Sequence, residues 1–278
     1  MRLSLVVSVE ETSFDAVAVR GGWESAVTRL AALGFDGVEL AVRDPAAVDA
    51  GRVEEVVRGA GLAVPAIGTG QAFLRDKLSL SSPDDAVRHA ASTRLLAHVR
   101  LAARLGSLVI IGLIRGRTEG GLEATTRRFL EGLRPVLDAA ASAEVRLVIE
   151  PINRYETDFL VTVDDTLALI DASGARHLGV LADTFHMNIE ETTIEGALAS
   201  AAARARLWHV HTADSNRWAP GFGHLDFAQI VASLDRLGYD GFLSGEILPK
   251  PDPEEAAQQT LRALRPFASR EPQRDHVS

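Results

Sequence analysis

The chain has no cysteine among its 278 residues. Disulfides, thiolate metal ligands and cysteine nucleophiles are therefore excluded, and any metal must be held by oxygen and imidazole donors. Lysine is nearly absent too: Lys77 and Lys250 are the only two, and arginine supplies the rest of the 29 cationic side chains. Schiff-base chemistry needs a buried lysine beside a carbonyl. Lys77 stands in a polar stretch and Lys250 lies between Pro249 and Pro251, so a lysine-dependent aldolase is disfavoured. Positive charge is in deficit, with a net of −9. Such a field repels polyphosphate backbones and argues against nucleic acid as a partner. Long apolar runs are also missing: residues 108–113 form one of the longest, far below the ~20 residues of a membrane helix, and 1–9 is too short for a signal-peptide core. A cytoplasmic protein with no membrane partner, acting on a small molecule, is expected.

What is present is a hydrophobic share of 46%, enough for one large core, without a compositional break between the halves. A single domain over 1–268 is expected, followed by a polar tail at 269–278 that lacks apolar periodicity. Short aliphatic runs alternate with longer segments whose apolar residues recur at three and four positions, the pattern of strands alternating with amphipathic helices. Strands are predicted at 3–9, 37–42, 63–68, 108–113, 146–150, 178–183, 207–211 and 241–246. Helices are predicted at 23–33, 45–60, 83–105, 122–141, 163–172, 194–203, 227–237 and 253–264, several stopped by a glycine, as at Gly34, Gly61, Gly106 and Gly238. Eight βα units, and no G-x-G-x-x-G after the first strand, predict a closed (β/α)₈ barrel of the α/β class rather than an open doubly wound sheet.

In such a barrel the active site forms at the C-terminal ends of the strands, so a polar residue closing an apolar run is a candidate for function. Glu150 closes Leu147-Val148-Ile149, Asp183 closes Val180-Leu181-Ala182, His211 closes the strand at 207–211, and Glu246 closes the one at 241–246. They are 33, 28 and 35 residues apart, about one βα repeat each, so each steps one strand around the rim. Three carboxylates packed at one level repel unless a cation neutralises them. Three acids and one imidazole suit Mn²⁺ or Mg²⁺ and accept Co²⁺ or Zn²⁺; manganese is favoured. The plain alternative is that each acid caps a helix or pairs with an arginine.

The segments Glu150-Pro151-Ile152-Asn153-Arg154-Tyr155-Glu156, Asp183-Thr184-Phe185-His186-Met187-Asn188-Ile189-Glu190-Glu191 and His209-Val210-His211-Thr212-Ala213-Asp214-Ser215-Asn216-Arg217 resemble the xylose isomerase-like barrel superfamily. Within it they are most similar to the ketose 3-epimerases, the tagatose and psicose epimerase group and relatives acting on keto sugar acids. The resemblance implies metal ligation by Glu150, Asp183, His211 and Glu246, acid and base roles for Glu150 and Glu246, and substrate contacts from Glu156, His186 and Arg217. It also implies a homo-oligomer, a dimer or tetramer, with a sugar or sugar acid as substrate. Pro151, Asp214 and the Gly221–His224 loop depart from the pattern and leave the particular sugar open.

The chemistry expected is proton removal beside a metal-polarised carbonyl, giving an enediolate. Two glutamates on opposite faces invert the carbon, whereas one glutamate acting alone interconverts aldose and ketose. A hydroxypyruvate-type isomerase and an inosose-type dehydratase share the same cage, and an endonuclease IV-like nuclease would need further histidine ligands. His186 is expected to donate to a substrate oxygen, its alternatives being a loop carbonyl partner or a second metal. Arg217 offers a donor fork to hydroxyls or a carboxylate, or else is a solvated ion-pair partner. His209 is expected to face the helices as a structural residue, Glu39 to be a weak candidate for supporting the rim, and Asp226 to cap a helix beside His224. Arg115 and Arg117 follow the fourth strand and could meet an anionic substrate group, or as easily form a solvated cluster near Glu119; they do not establish a phosphate site.

Overall fold

The computed structural model describes residues 1–10, 12 and 14–268, so the tail expected at 269–278 lies outside the described residues. Nine strands occur in the order β1 (Arg2–Ser8), β2 (Val19–Arg20), β3 (Gly37–Ala41), β4 (Ala66–Gly68), β5 (Leu108–Ile111), β6 (Leu147–Ile149), β7 (Leu178–Asp183), β8 (Leu207–His211) and β9 (Phe242–Gly245). Among the described residues ten α-helices accompany them: α1 (Trp23–Leu33), α2 (Ala50–Gly59), α3 (Gly70–Asp76), α4 (Asp85–Leu105), α5 (Leu122–Ser142), α6 (Val163–Ser173), α7 (Thr184–Glu190), α8 (Ile194–Ala203), α9 (Phe227–Arg236) and α10 (Pro253–Ala268). All eight predicted strands and eight predicted helices are present, with the 45–60 segment split into a short 3₁₀ turn at Pro45–Ala47 and α2. Four short elements among the described residues were not predicted: β2, α3, α7 and a 3₁₀ turn at Leu113–Arg115.

The pairings are all parallel and run β1-β3-β4-β5-β6-β7-β8-β9, and β9 pairs back onto β1, which closes an eight-stranded barrel. β2 only adds two residues to the outer part of β1. Strand alternation sorts the side chains. Leu3, Leu5 and Val7 of β1 and Val38 and Leu40 of β3 join the large core under the helices, while Ala66, Ile110, Val148 and Leu181 form a separate cluster inside the barrel. Trp208 packs on this inner cluster near the start of β8. Gly179 makes room for it: a Cβ there would stand 2.4 Å from the indole. A register irregularity between Val180 and Leu181 then sets Leu181 opposite His209 and Asp183 opposite His211. Two rim candidates are thereby level.

Local chemistry sets the helix ends. Gly34, Gly61, Gly106 and Gly238 all take positive φ, as their role in stopping helices requires. Asp226 Oδ1 accepts the Gln229 N–H at the start of α9, the expected cap. No helix among the described residues is long and apolar enough to cross a membrane.

Candidate metal centre

Each rim residue is delivered by its own strand. Glu150 follows β6, its N–H bound to the Ile111 carbonyl of the neighbouring strand; Asp183 and His211 end β7 and β8; Glu246 follows β9. One ligand atom from each of the four lies within 4.8 Å of the others. His211 Nδ1 is 3.6 Å from Glu150 Oε1, 3.8 Å from Asp183 Oδ2 and 4.0 Å from Glu246 Oε2. Glu150, Asp183 and His211 are buried and Glu246 nearly so. Gly112 leaves room beside them: a Cβ there would stand 3.1 Å from Glu150 Oε2, a tight contact on a candidate ligand.

Burial of several acids at one point is unfavourable without a counter-charge. Burial pushes Asp183 up to about 6, eased by His211 and reinforced by the Glu150 charge. Burial pushes Glu246 up to about 8, again with Glu150 adding to it. Burial opposes charge on His211 as well, but Glu39 and the nearby acids outweigh it and hold the imidazole well above its ordinary value. The free atoms give a direct test of whether these residues fit a cation. Glu150 Oε1, Asp183 Oδ2 and His211 Nδ1 are buried and have no hydrogen-bond partner. Buried polar atoms are ordinarily satisfied, so three unpartnered atoms facing one another point to a missing common partner. They fit a divalent ion. Asp183 also resolves the helix-cap alternative: Oδ1 caps α7 by accepting the Phe185 N–H at 2.8 Å, and Oδ2 is left for the site.

The candidate imidazole donor is fixed from behind. His211 Nε2 donates to Glu39 Oε1 at 2.9 Å, which turns Nδ1 toward the site. The other oxygen, Glu39 Oε2, accepts from His209 Nε2 at 2.7 Å. Burial works against the Glu39 charge, yet the two imidazoles hold this carboxyl far below its ordinary range. The expectation that His209 faces the helices is overturned. Strand side chains alternate with period two, so positions 209 and 211 share a face, and both rings point into the barrel.

His186 is set by a comparable argument. Its Nδ1 receives Asn153 Nδ2–H at 2.7 Å, with the Asn153 backbone N–H pointing at it from 3.4 Å. The Asn153 amide cannot turn over, because its Oδ1 accepts the Tyr155 N–H and its Nδ2 also reaches Glu156 Oε1. Nδ1 is thus an acceptor and Nε2 carries the proton. Nε2 is unpartnered and lies 3.8 Å from both Glu150 Oε1 and Asp183 Oδ2. Burial, then the Arg217 and Arg115 charges, hold the ring well below its ordinary value, so it stays neutral. A protonated Nε2 does not ligate a metal, so the geometry favours a donor role over a second ion.

Arg217 joins the remaining residues. Its Nη1 donates to Glu156 Oε1 at 2.8 Å and its Nη2 to Glu246 Oε2 at 3.1 Å, while the guanidinium stacks near Phe185 and Phe14. It stands in a left-handed conformation with φ 61°, held by a loop that Asp214 organises. The Asp214 carboxylate accepts N–H bonds from Ser215, Gly221 and Leu225, and these hold it below its ordinary value against the effect of burial. Glu156, His186, Arg217, Glu150 and Glu246 line one small cavity at the barrel mouth. His224 does not reach it.

Arg115 fits neither of the two readings open to it, an anionic substrate contact or a solvated cluster. It is fully buried rather than solvated, and its guanidinium donates to the carbonyls of Gly112, Glu150, Phe159 and Leu160. Only Arg117, on Glu156 O, is exposed. Sequence reasoning had no signal for this bracket, since its acceptors are main-chain atoms.

The sequence matches the family described as the xylose isomerase-like TIM barrel over residues 27–267. It is 33% identical over 244 residues to the L-ribulose 3-epimerase of Mesorhizobium japonicum, covering 86% of this chain and 80% of that protein. It is 32% identical over 232 residues to the ketose 3-epimerase of Arthrobacter globiformis, covering 82% and 77%. The solved structure of an L-ribulose 3-epimerase superposes with a TM-score of 0.79 at 29% identity, over 96% of this chain and 94% of that one. Fold, rim geometry and sequence agree: the chain belongs to the xylose isomerase-like TIM-barrel family.

Proposed function

We propose that this chain is a divalent-metal-dependent sugar epimerase that inverts the carbon next to a carbonyl, C3 of a ketose or of a keto sugar acid. The observation that carries the reading is the convergence of three unpartnered buried ligand atoms with Glu246 at the mouth of one barrel. The curated relatives named above, a ketose 3-epimerase and an L-ribulose 3-epimerase, support it. Glu150, Asp183, His211 and Glu246 would hold the ion, for which Mn²⁺ is our choice. When bound, the ion polarises the ketose carbonyl and acidifies the neighbouring C–H.

The chain's own residues supply the rest. Glu150 and Glu246 come from β6 and from the end of β9, with β7 and β8 between them, a separation that suits carboxylates on two sides of a bound sugar. One removes the proton and the other returns one to the opposite face of the carbon. Arg217 holds Glu246 and Glu156 in place and offers donors to sugar oxygens. His186 Nε2–H donates to the oxygen on which charge develops. Phe14 lines this cavity beside Arg217, where an apolar ring can pack against the carbon face of a sugar.

The test is incubation of ketopentoses, ketohexoses and keto sugar acids with Mn²⁺ in D₂O, followed by NMR. A new stereoisomer with deuterium at the inverted carbon is expected, and none after chelation. Glu246→Gln should lower turnover by ~10³-fold with the fold intact. Full activity in that variant, or activity indifferent to metal, would remove the reading; an aldose product would replace epimerisation by isomerisation.

A further inference from the structure

The cavity wall away from the metal ligands is built from β1, β4 and α3. Here Gln71 is 4% exposed and lines the cavity. Its Nε2 donates to Ser8 Oγ at 3.1 Å, and the Ser8 hydroxyl donates to the Glu10 carbonyl at 2.7 Å. A hydroxyl has a single proton, and Ser8 has spent it on Glu10, so Ser8 Oγ can only accept from Gln71. Turning the amide over would set Oε1 against an oxygen with no proton to offer. One orientation is therefore selected, and in it Gln71 Oε1 is buried with no hydrogen-bond partner.

Among the described residues, none that lines the wall supplies the missing donor. The Thr69 hydroxyl is given to the Ile110 carbonyl at 2.7 Å. Val6, Ala41 and Ile110 are apolar, the Arg217 fork goes to Glu156 and Glu246, and Glu39 is an acceptor already holding two imidazoles. Gln71 Oε1 therefore needs a donor from outside the chain, and the donor that a sugar offers is an O–H. β4 adjoins β3 and β5, neither of which carries a metal ligand, so the hydroxyl belongs to the end of the substrate remote from the reacting carbon.

We propose that Gln71, oriented by Ser8, is a specificity-determining residue whose Oε1 accepts a hydrogen bond from a distal hydroxyl of the sugar. This rests on the epimerase reading above. A site built to bond a hydroxyl rejects the analogue that lacks it, because the buried acceptor is then left unpaired.

The experiment compares a turned-over ketose with analogues deoxygenated singly at each carbon beyond the inverted one. Wild type is expected to lose ~10–100-fold in kcat/KM on one of them. Gln71→Met should lose a similar factor on the parent ketose and little on that analogue, so the ratio falls toward one. Ser8→Ala, which frees the amide to turn, should narrow the same ratio and covers the case of a Gln71→Met protein that does not fold. Equal discrimination by wild type and both variants, or a uniform loss on every substrate, would overturn the proposal. Absence of any epimerisation by wild type would instead overturn the functional reading, and this inference with it.

Discussion

Glu39 shows how much a single buried carboxylate decides. It satisfies the Nε2–H of both His209 and His211, and by doing so turns His211 Nδ1 toward the three acids, where a cation can displace its proton. Glu39→Gln keeps the shape but offers one acceptor and one donor group to two N–H donors, so one imidazole loses its anchor. Divalent affinity should fall by ~10–100-fold, the usual consequence of losing a group that orients a ligating histidine. Calorimetric titration of the purified protein with Mn²⁺ reads this directly; unchanged affinity would sever Glu39 from the metal centre. The rim residues were legible in the sequence because each is a polar residue at the end of an apolar run. Glu39 was legible only weakly, since its partners stand 170 and 172 positions away and no local pattern announces them.

At the scale of elements, the long periodic segments were readable and the short ones were not. α7 is seven residues long and is capped by Asp183, the last residue of β7, so the helix begins directly where the strand ends, and α3 is equally short. Neither is long enough for a period of 3.6 to emerge. The segment after β6 has no regular structure, and Arg115 holds it by binding the carbonyls of Glu150, Phe159 and Leu160. Burial lowers this guanidinium to about 10, countered by the Glu150 and Glu156 charges, so it stays protonated at neutral pH. Arg115→Met would leave several buried carbonyls without donors. The expected loss is ~3–5 kcal/mol, or about 10 °C in thermal midpoint for a chain of this size. A midpoint within 2 °C of wild type would show that the bracket is dispensable.

Over the whole molecule, an eight-stranded barrel places its concentrated like charges at one end, so stability and metal binding are linked. Consider the metal-free protein above pH 7, where the buried neutral histidines no longer differ in proton content between folded and unfolded chains. Glu246, raised to about 8 mainly by burial, and His211, raised well above its ordinary value by Glu39 and its acidic neighbours, keep protons in the folded state that the unfolded chain has released. The folded state then binds more protons than the unfolded one, so metal-free stability falls as pH rises from 7 to 9. A divalent ion replaces those protons, and the stabilisation it brings grows over the same range. At an ion concentration a hundredfold above its dissociation constant the gain is ~2.7 kcal/mol, roughly 5–10 °C in midpoint. Thermal unfolding with Mn²⁺ and with chelator at pH 7.0 and 8.5 checks both statements: the chelated midpoint should fall with pH and the Mn²⁺ increment should widen. An increment that is absent, or that shrinks at the higher pH, would mean that the acids and His211 are not where the ion binds.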